Sequence, residues 1–262
     1  MVDPHHPWDL TGRRVLVTGG TRGIGRTIAT RFLAAGADVV VCGRTDPADL
    51  PTAADRSARF VRADVRDPDQ AAAAVAAAAD PGDRLDVLVN NAGGSPVADA
   101  ADMSPRLFAA VVTLNLTAAF QTAQAANAVM QRGAGGSIVN IGSISAHDPN
   151  PGTAAYTAAK AGLLALSRAL ALEWAPKVRV NHLTVGQVRT EQTAGYYAAV
   201  GGEEAVERLA ATIPMGRMAT PDDVAAACLY LCSPLAEYVS GADLALVGGG
   251  EYPARFTAIP AG

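Results

Sequence analysis

Three side chains stand at spacings that suit proton transfer: Ser143 in the run GSIS, then Tyr156 and Lys160 in AYTAAKAGLLALSRALALEW. On a helix, residues four apart lie one turn apart on a shared face, so the phenol and the ammonium are neighbours. A phenol titrates near pKa ~10 and is a poor base at neutral pH. A nearby ammonium favours phenolate and draws the group toward its working range. The Ser143 hydroxyl could hold a substrate oxygen against the phenol. Taken alone, Tyr156 and Lys160 could equally form a solvated helix face. Asn115, polar within VVTLNLTAAF, would be a costly core residue without a hydrogen bond. It could anchor a water that links Lys160 to solvent.

A second constellation is Thr18-Gly19-Gly20-Thr21-Arg22-Gly23-Ile24-Gly25, set between a strand and a helix. Its glycine spacing is not GxGxxG, and the Gly-Lys-Ser/Thr ending of a Walker A loop is missing. Gly19, Gly23 and Gly25 can still make a tight turn that brings backbone close to a pyrophosphate at a helix N-terminus. A plain strand-to-helix turn is the alternative. In a nucleotide site, an acid at the end of the second strand would take the ribose diol. The chain has Cys42-Gly43-Arg44 there. Arg44, with Arg22 in the loop, offers donors to a 2′-phosphate, which favours NADP(H) over NAD(H). Asp64-Val65 and Asn90-Asn91-Ala92-Gly93 follow the next two strands, on the rim where adenine and ribose would rest. Asp64 either accepts from an adenine amino group or caps the following helix. Asn90 could instead lock neighbouring loops.

These residues need a frame. RRVLVTGG reads as a buried strand, IGRTIATRFLAAGA as a helix closed at Gly36, DVVVCGR as a second strand and SARFVRADV as a third. An alanine-rich helix over 69–79 follows Pro68. RLDVLVNNAGG supplies a fourth strand and its loop, 104–132 one long helix, GSIVNIGSIS a fifth strand and 154–174 a helix. KVRVNHLTVG is a sixth strand, 203–211 and 221–232 are helices, and ADLALVGGG is the last strand. Continuous apolar strands alternating with amphipathic helices predict an α/β chain: a doubly wound Rossmann-type parallel sheet with helices on both faces. Ligands of such sheets bind beyond the C-terminal strand ends, where both constellations fall. No repeat or linker divides the sequence, so one dinucleotide-binding catalytic domain is expected over 1–262, with 1–11 a loose lead-in.

The 262 residues suit one well-packed core, and a composition 50% hydrophobic but 5% aromatic builds it from alanine, valine, leucine and isoleucine. A net charge of −4 without a dense basic block argues against nucleic acid. Cys42, Cys228 and Cys232 form neither an even disulfide set nor a CxxC pair. Cys228 and Cys232 share a helical face and are expected as small core residues. His5, His6, His147 and His182 are scattered through separate segments, so no metal site is expected. There is no GxSxG elbow for acyl hydrolysis. Neither a signal-peptide pattern nor a run of about 18 apolar residues points to a membrane, which predicts a reduced, cytoplasmic protein.

As a set, the motifs resemble those of the single-domain short-chain dehydrogenase/reductase family, over about residues 12–250. Thr18–Gly25 resembles its glycine loop, Asn90–Gly93 its NNAG segment, and Asn115, Ser143, Tyr156 and Lys160 its catalytic tetrad. The resemblance implies that Tyr156 exchanges the hydroxyl proton and Ser143 positions the carbonyl. Lys160 would also hold the nicotinamide ribose, and Asn115 would support a proton relay, while hydride passes between nicotinamide C4 and the substrate carbon. It further implies adenine contacts from Asp64 and Val65 and nicotinamide contacts from Val188 and Thr190, with Thr190 taking the carboxamide. A lid over about 190–215 and a homotetramer built on the 154–174 helix and the last strand are implied too. The chain departs from the family at Val185-Gly186, where Pro-Gly is usual, losing a fixed φ and gaining an N–H. It departs again at Val247-Gly248-Gly249, where Asp-Gly-Gly is more frequent.

Within the lid, Tyr196 and Tyr197 either line a moderately hydrophobic pocket or serve packing. In SAHDPNPGTAAY, His147 and Asp148 fall near the reacting carbonyl, though Asp148 could be a loop cap. Ser95 in Gly94-Ser95-Pro96, together with Gly186, completes the candidate pocket walls. Within the family the chain is most similar to 3-oxoacyl-thioester reductases, implying a small carbonyl or alcohol substrate, free or thioester-linked. The expected function is an NADP(H)-dependent oxidoreductase interconverting a ketone and a secondary alcohol, in the reductive direction. Its rivals are an NAD(H)-linked secondary alcohol dehydrogenase and a dinucleotide-sensing scaffold without turnover, against which the complete tetrad argues.

Overall fold

β1 (Arg14–Thr18) shows how the sheet acquires two buried faces: Val15 and Val17 enter one core and Leu16 the other, as the two-residue pleat requires. The computed structural model describes residues 8–191, 193 and 201–250. β1 pairs on one side with β2 (Asp38–Gly43), and β2 with β5 (Arg59–Arg62). On its other side follow β6 (Val87–Asn90), β7 (Gly136–Ile141), β8 (Val178–Val185) and β9 (Asp243–Leu246). The result is a parallel seven-stranded sheet in the order β5-β2-β1-β6-β7-β8-β9, the doubly wound arrangement expected. Strand order reverses between β1 and β6, which opens a crevice above Thr18 and Asn90. A small antiparallel hairpin, β3 (Thr52–Ala53) with β4 (Arg56–Ser57), was not anticipated, because each arm is too short to carry a period.

One face of the sheet is covered by α1 (Gly23–Ala34), which buries Ile28 and Phe32 over β1 and β2, and by α7 (Pro221–Cys232), which buries Val224 and Cys228 between α1 and the strands β7 to β9. The other is covered by α2 (Pro68–Ala79), α4 (Ala118–Arg132) and α5 (Ala154–Trp174). Ala74, Ala78, Ala123 and Ala126 are buried between α2 and α4, and their small side chains let the two helices approach closely. Helix starts follow their local signals. Asp67 accepts from the amides of Asp69 and Gln70 to cap α2, and Thr220 with Asp223 forms a capping box on α7 ahead of Pro221. α6 (Gly202–Ala211) carries Glu203 and Glu204 in its first turn, where the helix dipole favours acids.

Two expectations change. The span 104–132 is not one regular helix: α3 (Pro105–Val112) passes through a π-helical turn at Thr113–Thr117 before α4 begins. Asn115 sits in that turn, and its side chain takes the carbonyl of Val111 at 2.9 Å. Nor is the whole lead-in loose, since Leu10 is 2% exposed and its amide donates to the Ala35 carbonyl. The continuous helix Pro105–Arg132, 28 residues long with hydropathy 1.2, has the length and composition of a membrane span. Here it packs one face against α2, α5 and the sheet, with Thr122 and Asn115 hydrogen-bonded inside the fold.

Candidate active site

The crevice is first shaped by backbone. Gly23 adopts φ +52, a conformation that favours glycine, and nothing lies within 4 Å of where its β-carbon would stand. Gly25 has no such freedom: a β-carbon there would fall 2.4 Å from both Asn91 Nδ2 and the Gly19 carbonyl oxygen. The loop therefore crosses helix α1 at a distance only glycine allows. The first turn of α1 has no side-chain cap and no acid, leaving its amides for an anion. Ile24 packs against the core beside the loop, and Thr21 lies next to Gly43.

Arg22 and Arg44 are exposed on the rim of the same loop, and neither side chain has a hydrogen bond or ion pair among the described residues. Most other arginines here are paired: Arg26 with Asp49, Arg62 with Asp46, Arg66 with Asp64. An anion-binding loop flanked by two uncommitted guanidinium groups fits a pyrophosphate carrying a further phosphate.

Thr18, Asn90 and Asn91 lock the strand ends together. Thr18 Oγ1 accepts from the amides of Asn91 and Ala92, both at 3.0 Å. Asn91 Nδ2 donates to the carbonyls of Thr18 and Gly19 at 2.9 and 3.2 Å. Asn91 thus braces the glycine loop with its side chain. Asn90 turns inward, donating to Asn140 Oδ1 at 2.9 Å and accepting from Thr122 Oγ1 at 2.6 Å. Asn140 continues the chain to Ser167 of α5 at 2.8 Å. Every polar group in this buried line has a partner, so it fixes β6, β7, α4 and α5 relative to one another.

Beyond β7 stand the groups expected to react. Ser143 caps a 3-10 turn (Ile144–Ala146), accepting from the Ser145 amide at 3.2 Å. Tyr156 and Lys160 share one face of α5, with Lys160 Nζ 5.6 Å from the centre of the Tyr156 ring. Lys160 is 4% exposed and donates to the Ile141 carbonyl at 2.7 Å. Burial lowers its ammonium from 10.5 to about 8. Burial also raises the Tyr156 phenol, with Ser143 pulling more weakly downward. Burial thus outweighs any lowering of the phenol, which keeps its proton at neutral pH.

Asn115, 1% exposed, is fully engaged. Its Nδ2 donates to the carbonyls of Gly94 and Val111, each at 2.9 Å, and its Oδ1 accepts from the Gly94 amide at 2.9 Å. Both side-chain N–H donors are thereby used, and the residue clamps the loop after β6. A β-carbon on Gly93 would lie 2.8 Å from Asn115 Oδ1 and 3.5 Å from Lys160 Nζ, so the three meet at one point.

The remaining expected contact residues have these partners within the chain. The Asp64 carboxylate is held by the Arg66 guanidinium and amide, and Asp67 rather than Asp64 caps α2. Val65 is buried in the core. Val188 forms a bridge with Ala219, and the Thr190 hydroxyl is engaged with Thr193 at 3.2 Å and with its amide. Val185 continues the ladder with Leu246, and the Gly186 amide donates to the Leu246 carbonyl at 3.0 Å, so the segment after β8 is tied down without a proline. Ser95 is exposed, its hydroxyl donating to the Pro96 carbonyl. Tyr196 and Tyr197 lie outside the described residues. His147 does not stand alone beside the carbonyl site: its Nε2 is 3.0 Å from Asp243 Oδ2.

That last pairing shows what sequence reasoning missed. His182, apparently isolated in β8, bonds through Nδ1 to Asp243 Oδ1 at 2.8 Å, so two histidines converge on one carboxylate. Thr184 Oγ1 donates to the same oxygen at 2.7 Å. A histidine inside an otherwise apolar strand was the available signal. No group of histidine, cysteine, aspartate and glutamate among the described residues could hold a metal ion. Cys42 and Cys228 are buried in the core, and burial pushes the Cys42 thiol up to about 11.

A doubly wound sheet with a glycine loop at its switch point and a Ser-Tyr-Lys cluster across the crevice defines a dinucleotide-dependent oxidoreductase. The chain belongs to the short-chain dehydrogenase/reductase family, NAD(P)-dependent oxidoreductases of alcohols and carbonyl compounds. The family model described as enoyl-(acyl carrier protein) reductase matches residues 19–251. A 3-oxoacyl-(acyl-carrier-protein) reductase of Chlamydia pneumoniae is 34% identical over 249 residues, 93% of this chain and 98% of the relative. An L-rhamnose 1-dehydrogenase (NAD(P)+) of Azotobacter vinelandii is 36% identical over 251 residues, 92% of this chain and 97% of the relative. Among solved structures, a Beutenbergia cavernae protein assigned as an NAD(P)-dependent gluconate 5-dehydrogenase, with NADP bound at low occupancy, superposes with TM-score 0.85. It is 40% identical and covers 93% of this chain and 98% of its own.

Proposed function

We propose that the chain is an NADP(H)-dependent oxidoreductase that interconverts a ketone and a secondary alcohol, working in the reductive direction. The observation that carries this reading is the Ser143–Tyr156–Lys160 cluster, set across the crevice from a glycine loop whose flanking arginines make no hydrogen bond or ion pair through their side chains among the described residues. The loop Gly19–Gly25 and the start of α1 would hold the pyrophosphate, with Arg22 and Arg44 on the 2′-phosphate. Asn91, Ala92 and Gly93 would border the adenosine side, while Val188 and Thr190 would meet the nicotinamide and Lys160 its ribose. When bound, the cofactor supplies the hydride. Tyr156 gives its proton to the carbonyl oxygen, Ser143 orients that oxygen, and Asn115 keeps the Gly93–Gly94 wall in place. A phenol raised by burial is protonated at neutral pH, the form that ketone reduction uses, and NADPH is the cofactor that normally drives reduction.

Cofactor choice follows the same geometry. Asp64, whose carboxylate feels the charge of Arg44, is already paired with Arg66 and does not stand free for a ribose diol. The NADP in the Beutenbergia structure supports this choice, while the NAD(P)+ in the Azotobacter enzyme's name keeps an NAD(H)-linked alcohol dehydrogenase as the second reading. The substrate is a small carbonyl compound or alcohol, free or thioester-linked. One catalytic domain spans the chain, acts in the cytoplasm as a homotetramer, and closes residues 190–215 over the substrate. The Arg189–Glu203 ion pair at 2.9 Å ties the residue before this span to the first turn of α6.

A panel of ketones and secondary alcohols, followed at the nicotinamide absorbance band with both reduced and both oxidised cofactors, tests this. NADPH-dependent ketone reduction is expected. Equal rates with NADH would favour the second reading, and tight NADPH binding without any turnover would favour a sensing scaffold.

A further inference from the structure

Ser143 is held from both sides by groups that answer to a single carboxylate. Upstream, Gly142 lies against the His182 ring so closely that a β-carbon there would fall 2.1 Å from Cε1 and 2.2 Å from Nε2. The Gly142 amide also donates to the Leu183 carbonyl at 2.8 Å, which fixes that backbone on β8. Downstream, the 3-10 turn that Ser143 caps ends at His147, whose amide donates to the Ile144 carbonyl at 2.9 Å. Each imidazole then reaches Asp243 at the start of β9: His182 Nδ1 to Oδ1 at 2.8 Å, His147 Nε2 to Oδ2 at 3.0 Å.

The chemistry of the carboxylate fixes the direction of these bonds. An ionised Asp243 only accepts, so His182 must carry its proton on Nδ1 and His147 on Nε2. Register places His182 directly beside Asp243 on one side and Asn140 on the other, so the ring has no room to turn. His182 is 0% exposed, and its Nε2 has no hydrogen-bond partner among the described residues. A buried imidazole held by one nitrogen, with the other edge against the backbone before Ser143, acts as a wedge. His147, 41% exposed, is the outer tether of the same loop.

We propose that Asp243 is a positioning residue for Ser143: through His182 beneath Gly142 and His147 after the 3-10 turn, it sets the loop that presents the serine to Tyr156. The inference rests on the reading of Ser143 and Tyr156 as the reacting pair. Asp243 touches neither substrate nor cofactor in this role. Burial works to raise its carboxyl, but hydrogen bonds from His182 and Thr184 outweigh that and hold it below the ordinary range, so the pin stays charged at neutral pH.

The test is a titration of the full chain labelled with 13C at tyrosine Cζ, the Tyr156 signal being assigned by its loss in Tyr156→Phe. Ser143→Ala should move the Tyr156 titration to higher pH, because it removes the group that pulls the phenol down. Asp243→Asn should move it in the same direction, and the double variant no further than Ser143→Ala alone. Turnover of the best panel ketone should fall roughly ten- to hundredfold in Asp243→Asn, with KM for NADPH within about twofold. His147→Ala, at the surface, should show a smaller shift of the same sign, and it decides the matter if Asp243→Asn does not fold. A Tyr156 titration that moves in Ser143→Ala but stays at its wild-type position in the folded Asp243 and His147 variants overturns the role of Asp243 and leaves the pairing intact. If Ser143→Ala itself leaves Tyr156 unmoved, the pairing falls and the proposal with it.

Discussion

The Lys160 ammonium lies 5.6 Å from the centre of the Tyr156 ring, inside the fold rather than at its surface. It keeps its charge there with one backbone acceptor among the described residues, Ile141, and the face of a phenol beside it. A buried charge with so little solvation is costly, and that cost is measurable.

Removing the charge should stabilise the fold. The ammonium titrates at about 8 in the folded chain and 10.5 ordinarily, which corresponds to a cost of about 3 kcal/mol below pH 8. The sign is that of a depressed group: its full contribution to stability is present above 10.5 and is lost as pH falls through about 8. Lys160→Met removes this cost but leaves the Ile141 carbonyl without a donor, at about 1–3 kcal/mol. A net gain of about 1 kcal/mol, or a Tm rise of roughly 2–4 °C, should accompany loss of turnover. A lower Tm in calorimetry at pH 7 would contradict the account.

Tyr156→Phe should abolish turnover while NADPH binding, followed by nicotinamide fluorescence, stays near wild type. In the wild type the raised phenol predicts opposite pH trends. Ketone reduction should hold steady across neutral pH and decline only as Tyr156 ionises at alkaline pH. Alcohol oxidation should climb over that same alkaline range. Near-normal kcat in the phenylalanine variant would sink the assignment.

Arg44→Ala should raise KM for NADPH roughly tenfold, the worth of one charge-assisted hydrogen bond, and leave KM for NADH almost unchanged. Arg22→Ala should act in the same sense. Equal effects on the two cofactors would remove the argument for a bound 2′-phosphate.

Gly25→Ala should destabilise the chain by about 1–3 kcal/mol, because the added methyl meets a backbone oxygen and the Asn91 amide rather than a yielding side-chain tip. Urea denaturation reads the loss. Gly23→Ala tests the other requirement, since its space is open but its φ is +52; NADPH affinity, rather than overall packing, should suffer most there.

His182 supplies a prediction in acid. Burial lowers its pKa first, with Lys160 and His147 adding to this, while Asp243 works the other way. A depressed imidazole contributes stability above its ordinary 6.5 that is lost as pH falls toward the folded value. The acid slope of stability below pH 6.5 should therefore be shallower in His182→Gln; an unchanged slope would assign it to other groups.

Much of this architecture could be read from residue order. The seven strands were legible because each is a short apolar run between breakers, and Tyr156 with Lys160 because helical spacing alone puts them on one face. The cap of α2 falls to Asp67 rather than Asp64, whose carboxylate pairs with the local Arg66; that pairing could have been weighed from spacing. The Asp243–His182 contact joins residues 61 positions apart and exists only because β8 and β9 are neighbours in register. No periodicity encodes that. Asn115 was recognised as a polar residue needing partners, but the partner it found, Gly94, depends on the π-helical turn, which no pattern of apolar residues announces.

That turn also governs everything downstream on α4. A π-helical turn holds about one residue more than an α-helical turn, so the residues after it trail the phase of an uninterrupted α-helix by about 100°. Upstream, the phase of α3 faces Val111 inward; downstream, it is the reset phase that turns Thr122, Ala123 and Ala126 inward. Deleting a single residue within Thr113–Thr117 would therefore restore a regular α-helix and leave those side chains facing α2 and Asn90, while forcing the turn into α-helix with no deletion would swing them away. The same helix thus presents two differently phased faces, one to the reacting loop and one to the alanine seam.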